Sequence, residues 1–131
     1  MPISIVRLGS PRRSGEGLRL GTVRRPPRGV PKSRFAELDF YDVWLPMVAP
    51  SQELVTFGLR AGDDRSWKQF ERRYRAEMKA PDASRVLDLL AALSHHTSVS
   101  VGCYCENPKR CHRSILRELL RERGATVIPE E

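Results

Sequence analysis

Apolar and polar positions along the chain follow two periods. Ile3 to Leu8 (ISIVRL) and Leu18 to Val23 (LRLGTV) are short runs rich in β-branched residues and predict two strands. In WKQFERRYRAEM (67–78), Trp67, Phe70, Tyr74 and Met78 recur at spacings of three and four. That spacing predicts a helix with one apolar stripe, read here as core rather than as a base-stacking platform. Ser66 is the expected N-cap, and Pro81-Asp82 the break that ends it. From Ala83 to Leu93 the apolar residues wrap widely (Val86, Leu87, Leu89, Leu90, Leu93), which predicts a well-buried helix. TSVSVGCYC (97–105) reads as a buried strand, and CENPKR as a turn. Cys111 to Arg123 reads as a helix with Ile115, Leu116, Leu119 and Leu120 inward and Gly124 as its stop. Thr126 to Ile128 is a last short strand.

The segments between are of three kinds. GSPRRSGEG (9–17) and AGDDRS (61–66) are loops, and 35–49 is irregular with one short strand. RRPPRGVPK (24–32) holds three prolines, which excludes a helix interior or a central strand. Pro50 to Leu54 opens a short helix with Ser51 as N-cap, ending near Gly58. Strands alternating with helices imply a mostly parallel sheet. The 131 residues suit one core. The expected architecture is therefore a single three-layer α/β domain over 1–131, with helices on both faces of the sheet.

Composition adds exclusions. Apolar residues are 40% and charged residues 30%, which excludes a disordered chain. No run of eighteen apolar residues predicts a membrane span, and the N-terminal stretch lacks the apolar core of a signal peptide. The expected location is cytoplasmic, away from membranes. Three cysteines cannot all pair within the chain, and reduced thiols fit the cytosol. Charge is unevenly spread. Residues 1–34 carry nine Arg or Lys against Glu16 alone, a net +8, while the other 97 residues net −1. A basic quarter of this kind suggests an anionic partner, either a small molecule or nucleic acid. Its bland alternative is a solvated arginine-rich surface.

The candidate chemistry is concentrated in CYCENPKRCHR (103–113), which holds all three cysteines and one of the three histidines. It falls where a strand meets the next helix, the place where parallel sheets bind ligands. Free N–H groups at a helix start attract anions, and Lys109, Arg110 and Arg113 add positive charge. A zinc site would use Cys103, Cys105, Cys111 and His112, but one pair is separated by a single residue and the other by none, so neither a metal nor another cofactor is expected. A phosphatase-like or rhodanese-like loop needs arginine six positions after its cysteine; here those positions hold Lys109 and Cys111. A nucleophilic Cys111 with His112 as base meets the objection that adjacent helical side chains diverge. An anion cradle needs only the helix start and Arg113, with Arg24 and Arg28 closing over it from the stiff loop if that loop's strand is a neighbour. The alternative without function is a buried strand with cysteines packed as small hydrophobes and His112 capping locally. His95-His96 is read as a solvated loop or C-cap.

Four stretches together carry a family resemblance: RRPPRG (24–29), APSQEL (49–54), WKQFERRYRAEM (67–78) and CYCENPKRCHRSIL (103–116). They run in the order of the YeaO-like family, domain of unknown function 488, which the chain resembles over nearly its whole length. Arg24, Pro27, Arg28 and Gly29 match the family's basic loop. Trp67, Phe70, Tyr74 and Glu77 match its helix, and Cys111, His112 and Arg113 its CHR ending. Val23 stands where many relatives have Asp, Arg25-Pro26 where they have Leu-Trp, and RAGDDRS departs from a loop that often includes His. The resemblance implies a compact three-layer α/β domain, with no established activity or cofactor. The expectation is a phosphate-binding pocket at 103–113, in an enzyme or a nucleotide-handling domain, with a phosphorylated small molecule, a nucleotide or a nucleic-acid end as ligand; whether a reaction occurs is left open by the sequence. Cys111 and His112 would supply the chemistry, and Arg113, Arg24, Arg28 and Arg110 would hold the anion. The rival is a non-catalytic nucleic-acid-binding protein using the basic quarter; a zinc-stabilised domain is third.

Overall fold

The computed structural model describes residues 2–104 and 111–128. Both runs of β-branched residues are strands, β1 (Ile3–Arg7) and β2 (Leu18–Gly21), and the apolar run near the C-terminus is β4 (Val99–Cys103). The irregular 35–49 stretch contributes a two-residue strand, β3 (Val43–Trp44). The four lie in the order β1-β4-β2-β3, all parallel. Val127 adds an isolated parallel bridge to Ile3, in place of a longer last strand. Every residue of β4 is buried, as a central parallel strand must be when both its faces are covered.

Register decides which side chains share a face. Ile3, Val99 and Leu18 lie across from one another, as do Ile5, Val101 and Leu20. Alternation puts Ile3, Ile5, Val99, Val101 and Leu20 on one face. There they pack against Leu54 of α1 (Gln52–Arg60), Phe70 and Tyr74 of α2 (Asp64–Glu77), Leu87 and Leu90 of α3 (Pro81–Leu93) and Ile115, Leu116, Leu119 and Leu120 of α4 (His112–Glu122). The aromatic stripe of α2 is core: Trp67 and Phe70 stack at 4.7 Å, and Tyr74 donates its hydroxyl to the Val48 carbonyl at 2.6 Å.

The chain is thus an α/β domain around an all-parallel sheet. The layer on the second face is built from the segments 8–17 and 31–42 rather than from α-helix; its regular element is a 3-10 turn, Lys32–Arg34. Tyr41 lies over Gly21, where a Cβ would overlap the ring, and Val6 joins Leu8, Tyr41, Phe35 and Phe40 in a second apolar cluster. The polar centre of this face is Arg19, fully buried. Its Nε donates to Glu16 at 2.7 Å, and its Nη1 to the carbonyls of Ser10 at 2.8 Å and Asp39 at 2.6 Å. Glu16 also accepts from Ser100 Oγ at 2.9 Å and from the Arg13 amide at 3.0 Å. These donors outweigh burial and hold the Glu16 carboxyl below its usual range.

Two helix starts differ from expectation. Asp63, not Ser66, caps α2: its carboxylate accepts from the Ser66 amide at 2.8 Å, so Ser66 is the donor in the first turn. α3 begins at Pro81 rather than after it, since proline in the first turn loses no helical hydrogen bond. Ser51 caps α1 as expected, accepting from the Leu54 amide. Glu77 in turn accepts from the Ser51 amide at 2.8 Å and from its hydroxyl, tying α1 to α2.

Candidate functional site

Three parallel strands deliver their C-terminal ends to one edge of the sheet, and the start of α4 closes that edge. Cys103 is the last residue of β4, at the C-terminal end of the strand. Cys111 is the N-cap of α4, with extended backbone (φ −132°, ψ 148°), and its carbonyl accepts from the Ser114 amide and hydroxyl. Both cysteines are buried, at 1% and 2% exposure, among Leu8, Val23 and Tyr41. Their sulfurs are joined as a disulfide, in place of the expected reduced thiols, across a Cα–Cα span of 7.7 Å.

His112 follows in the first turn. Its Nε2 stands 2.7 Å from the carbonyl oxygen of Thr22. A carbonyl can only accept, so Nε2 carries the proton and Nδ1 the lone pair. Thr22 is itself fixed, its hydroxyl donating to the Gly102 carbonyl at 2.8 Å. The ring stands edge-on to Tyr74, centroids 5.8 Å apart. Burial drives the imidazole pKa down to about 4. The Thr22 hydrogen bond opposes this shift and the nearby Arg113 charge adds to it. His112 is therefore neutral at pH 7. Sulfurs and imidazole converge: one ligand-type atom each from Cys103, Cys111 and His112 all lie within 4.8 Å of one another.

Divergence of Cys111 and His112 was the expectation from helical spacing, and it does not hold. The i,i+1 rule applies inside a helix, whereas Cys111 is a cap with strand-like backbone. Cys103 was expected to act with Cys105, which lies outside the described residues together with Arg110. Of the zinc quartet read from the sequence, the three described members come together. Arg113 is 4% exposed in the first turn of α4, and its charge reaches His112.

Arg24 goes elsewhere. Its Nε donates to the Pro50 carbonyl at 2.9 Å and its Nη2 to those of Ala49 at 3.1 Å and Pro46 at 3.2 Å. It lines an open cleft of about 490 Å³ with Met47, Ser51, Glu77 and Asp82. Arg28 is exposed on the proline-rich loop. That loop does adjoin β4, because β2 is β4's neighbour and the Tyr104 hydroxyl donates to the Arg25 carbonyl at 3.0 Å. His95 and His96 are exposed beyond α3, with His95 Nε2 2.9 Å from the Gly124 carbonyl. Sequence reasoning missed Thr22 and the Tyr74 ring as walls of this site. The signal lay in the pairing of β2 with β4, which one sequence does not display.

The family model described as the active DUF488-N3 subclade matches residues 3–124. The chain belongs to the DUF488 family. The match runs from the first residue of β1 to the glycine after α4, and so takes in every residue of the cluster. No curated protein and no solved structure matches the chain. In this DUF488 domain no described helix is long and apolar enough to cross a membrane.

Proposed function

We propose that the edge formed by the end of β4 and the start of α4 is the active site of an enzyme acting on a small anionic substrate, a phosphorylated compound first. The observation that carries the reading is the Cys111-His112-Arg113 run. It passes from N-cap to first turn with a neutral imidazole pinned through Nε2–H to Thr22 and a buried cation beside it. A neutral imidazole with Nδ1 as acceptor suits proton abstraction, and free amides at a helix start suit an anionic oxygen. Arg113, with Arg110 next to the cap in sequence and Arg28 on the adjoining loop, would supply the positive side. Arg24, engaged by three carbonyls, serves that loop's position instead.

The rival reading, a nucleic-acid binder, draws on the basic first quarter. Much of that charge is used internally: Arg12 pairs with Asp39 and Asp42, Arg19 with Glu16 and Arg34 with Glu37. This favours the small anion. The test is a thermal-shift panel of phosphate, nucleotides, sugar phosphates and short single-stranded DNA and RNA. A ligand at a hundred times its Kd stabilises by about 2.7 kcal/mol. A shift with one small phosphorylated compound, weakened in Arg28→Ala and lost in Arg113→Lys, is the expected result. A shift confined to polynucleotides and erased by salt would replace this reading with the rival.

A further inference from the structure

We infer that Cys103, Cys111 and His112 form a binding site for a thiophilic divalent metal ion, zinc first, with two thiolates and the imidazole Nδ1 as ligands. The inference rests on the reading of this edge as the active site, and names the group that would work there.

Four observations carry it. One ligand-type atom each from Cys103, Cys111 and His112 lies within 4.8 Å of the others. Zinc bonds of about 2.3 Å to sulfur and about 2.0 Å to nitrogen set tetrahedral ligand atoms about 3.3–3.8 Å apart, so once reduced the two sulfurs would part to close on an ion with the imidazole already within reach. The second observation separates metal from disulfide. The Cα atoms of Cys103 and Cys111 are 7.7 Å apart. Direct sulfur bridging brings Cα atoms to about 4.4–6.8 Å, so an atom between the sulfurs fits the backbone better than a bond joining them.

The third observation is the orientation of His112. Metal-bound histidines characteristically donate their other ring N–H to a carbonyl or carboxylate, which fixes the tautomer and aims the lone pair. Thr22 supplies that carbonyl at 2.7 Å, and its own hydroxyl anchors it to β4 at Gly102. Fourth, the surroundings suit a neutral assembly. Two thiolates balance one dication, and the shell of Leu8, Val23 and Tyr41 is apolar. The ligand set is soft, which selects zinc over magnesium or calcium. Among the described residues three ligands come together, which leaves a fourth tetrahedral position to be filled. An anionic oxygen of the substrate is the natural occupant.

The test uses the full chain, reduced with a phosphine and dialysed against Zn²⁺ or Co²⁺. Metal per chain is measured by plasma mass spectrometry, and the cobalt form by absorption. The expected result is one ion per chain, with thiolate-to-cobalt charge-transfer bands in the near ultraviolet and strong tetrahedral d–d bands. Cys103→Ser and Cys111→Ser should each lower affinity at least tenfold, and His112→Gln should move the d–d bands. If the serine variants fail to fold, the charge-transfer bands of the wild type decide, since only thiolate ligands produce them. Less than a tenth of an equivalent bound to the reduced chain overturns the inference, as does cobalt bound without those bands. Recovery of a Cys103–Cys111 disulfide whose reduction creates no metal affinity would likewise replace the ion with a redox pair. The anion panel separates the two readings. Phosphate-compound binding without metal keeps the active site and discards the ion, while metal without any anion shift keeps the ion and discards the substrate class.

Discussion

Arg19 and His112 both depend on groups at or just beyond β2, and both are surrounded by other parts of the chain, yet their surroundings are composed in opposite ways. Arg19 is a charge matched by charge: Glu16 lies at 2.7 Å from Nε, two carbonyls take Nη1, only Nη2 is left without a hydrogen-bond partner among the described residues, and the carboxylate has donors of its own in Ser100 and Arg13. This network joins the loop 8–17, the segment 31–42 and strand β4. The His112 cluster is composed differently. Its described members are a neutral imidazole and two sulfurs that meet one another, with the buried Arg113 in the next position. Buried polar groups that serve stability are satisfied by their neighbours, because an unmatched buried charge costs several kcal/mol. Reactive groups brought together around an imidazole whose pKa is strongly shifted mark a candidate functional site.

The sharpest way to break this contrast is to unmatch Arg19. Glu16→Ala leaves a fully buried guanidinium without its carboxylate and should cost about 3–5 kcal/mol, read from urea unfolding. A loss below about 1 kcal/mol would show that the two carbonyls suffice, and that the ion pair does not hold the second face.

Acid should separate the regions next. His112 has a folded pKa of about 4 against an ordinary 6.5. Between those values the unfolded chain binds the proton and the folded chain does not. The stability it represents is therefore present above pH 6.5 and drains away as pH falls toward 4, by up to about 3 kcal/mol. Glu16 and Asp42 have lowered values, so their contribution is present above the ordinary carboxylate range and is lost only at lower pH. In metal-free protein, His112→Gln should flatten the pH 6.5–4 limb of the stability curve and leave the acid limb below it intact. An unchanged upper limb would mean that burial in the fold does not lower the His112 pKa.

A smaller effect tests the wall between core and site. Tyr74 is fully buried in α2, donates to Val48 and stands against the His112 ring. Tyr74→Phe keeps the ring and leaves one carbonyl unmatched, which should cost about 1–2 kcal/mol. The His112 pKa, followed by NMR, should move little. A large move would make the hydroxyl part of the site's electrostatics.

The elements that the sequence made legible are those whose chemistry is local. The stripe Trp67, Phe70, Tyr74 and Met78 fixes α2, Ser51 fixes the start of α1, and the apolar run around Val101 fixes β4. The second face was not legible, because 31–42 covers it with Phe35, Phe40 and Tyr41 at no regular period. The site was half legible. Its residue types and its place at a strand-to-helix junction stand in the sequence. The approach of Cys103 to Cys111 across eight positions depends on the extended cap conformation of Cys111, and the aim of His112 depends on Thr22 from another strand. Pairwise spacing therefore argued against a convergence that the tertiary structure creates. The basic quarter was legible as charge but not as its use, since the partners of Arg12 and Arg24 lie far along the chain.

The finest cut falls within that quarter, between two arginines four positions apart. Arg24 spans three carbonyls of the turn 46–50, within which the Val48 carbonyl accepts from Tyr74 and after which Ser51 donates to Glu77. Arg28 is exposed on the loop. Arg24→Met should cost about 1–2 kcal/mol by leaving buried carbonyls unmet. Arg28→Met should stay within about 0.5 kcal/mol of wild type. If Arg28 serves an incoming anion, its removal should instead weaken binding and reduce the salt dependence, with the fold unchanged. Equal effects on stability would make both arginines parts of the scaffold and leave the anion to the helix start alone. That division would place recognition in the backbone amides of α4, where substitution of side chains cannot reach it.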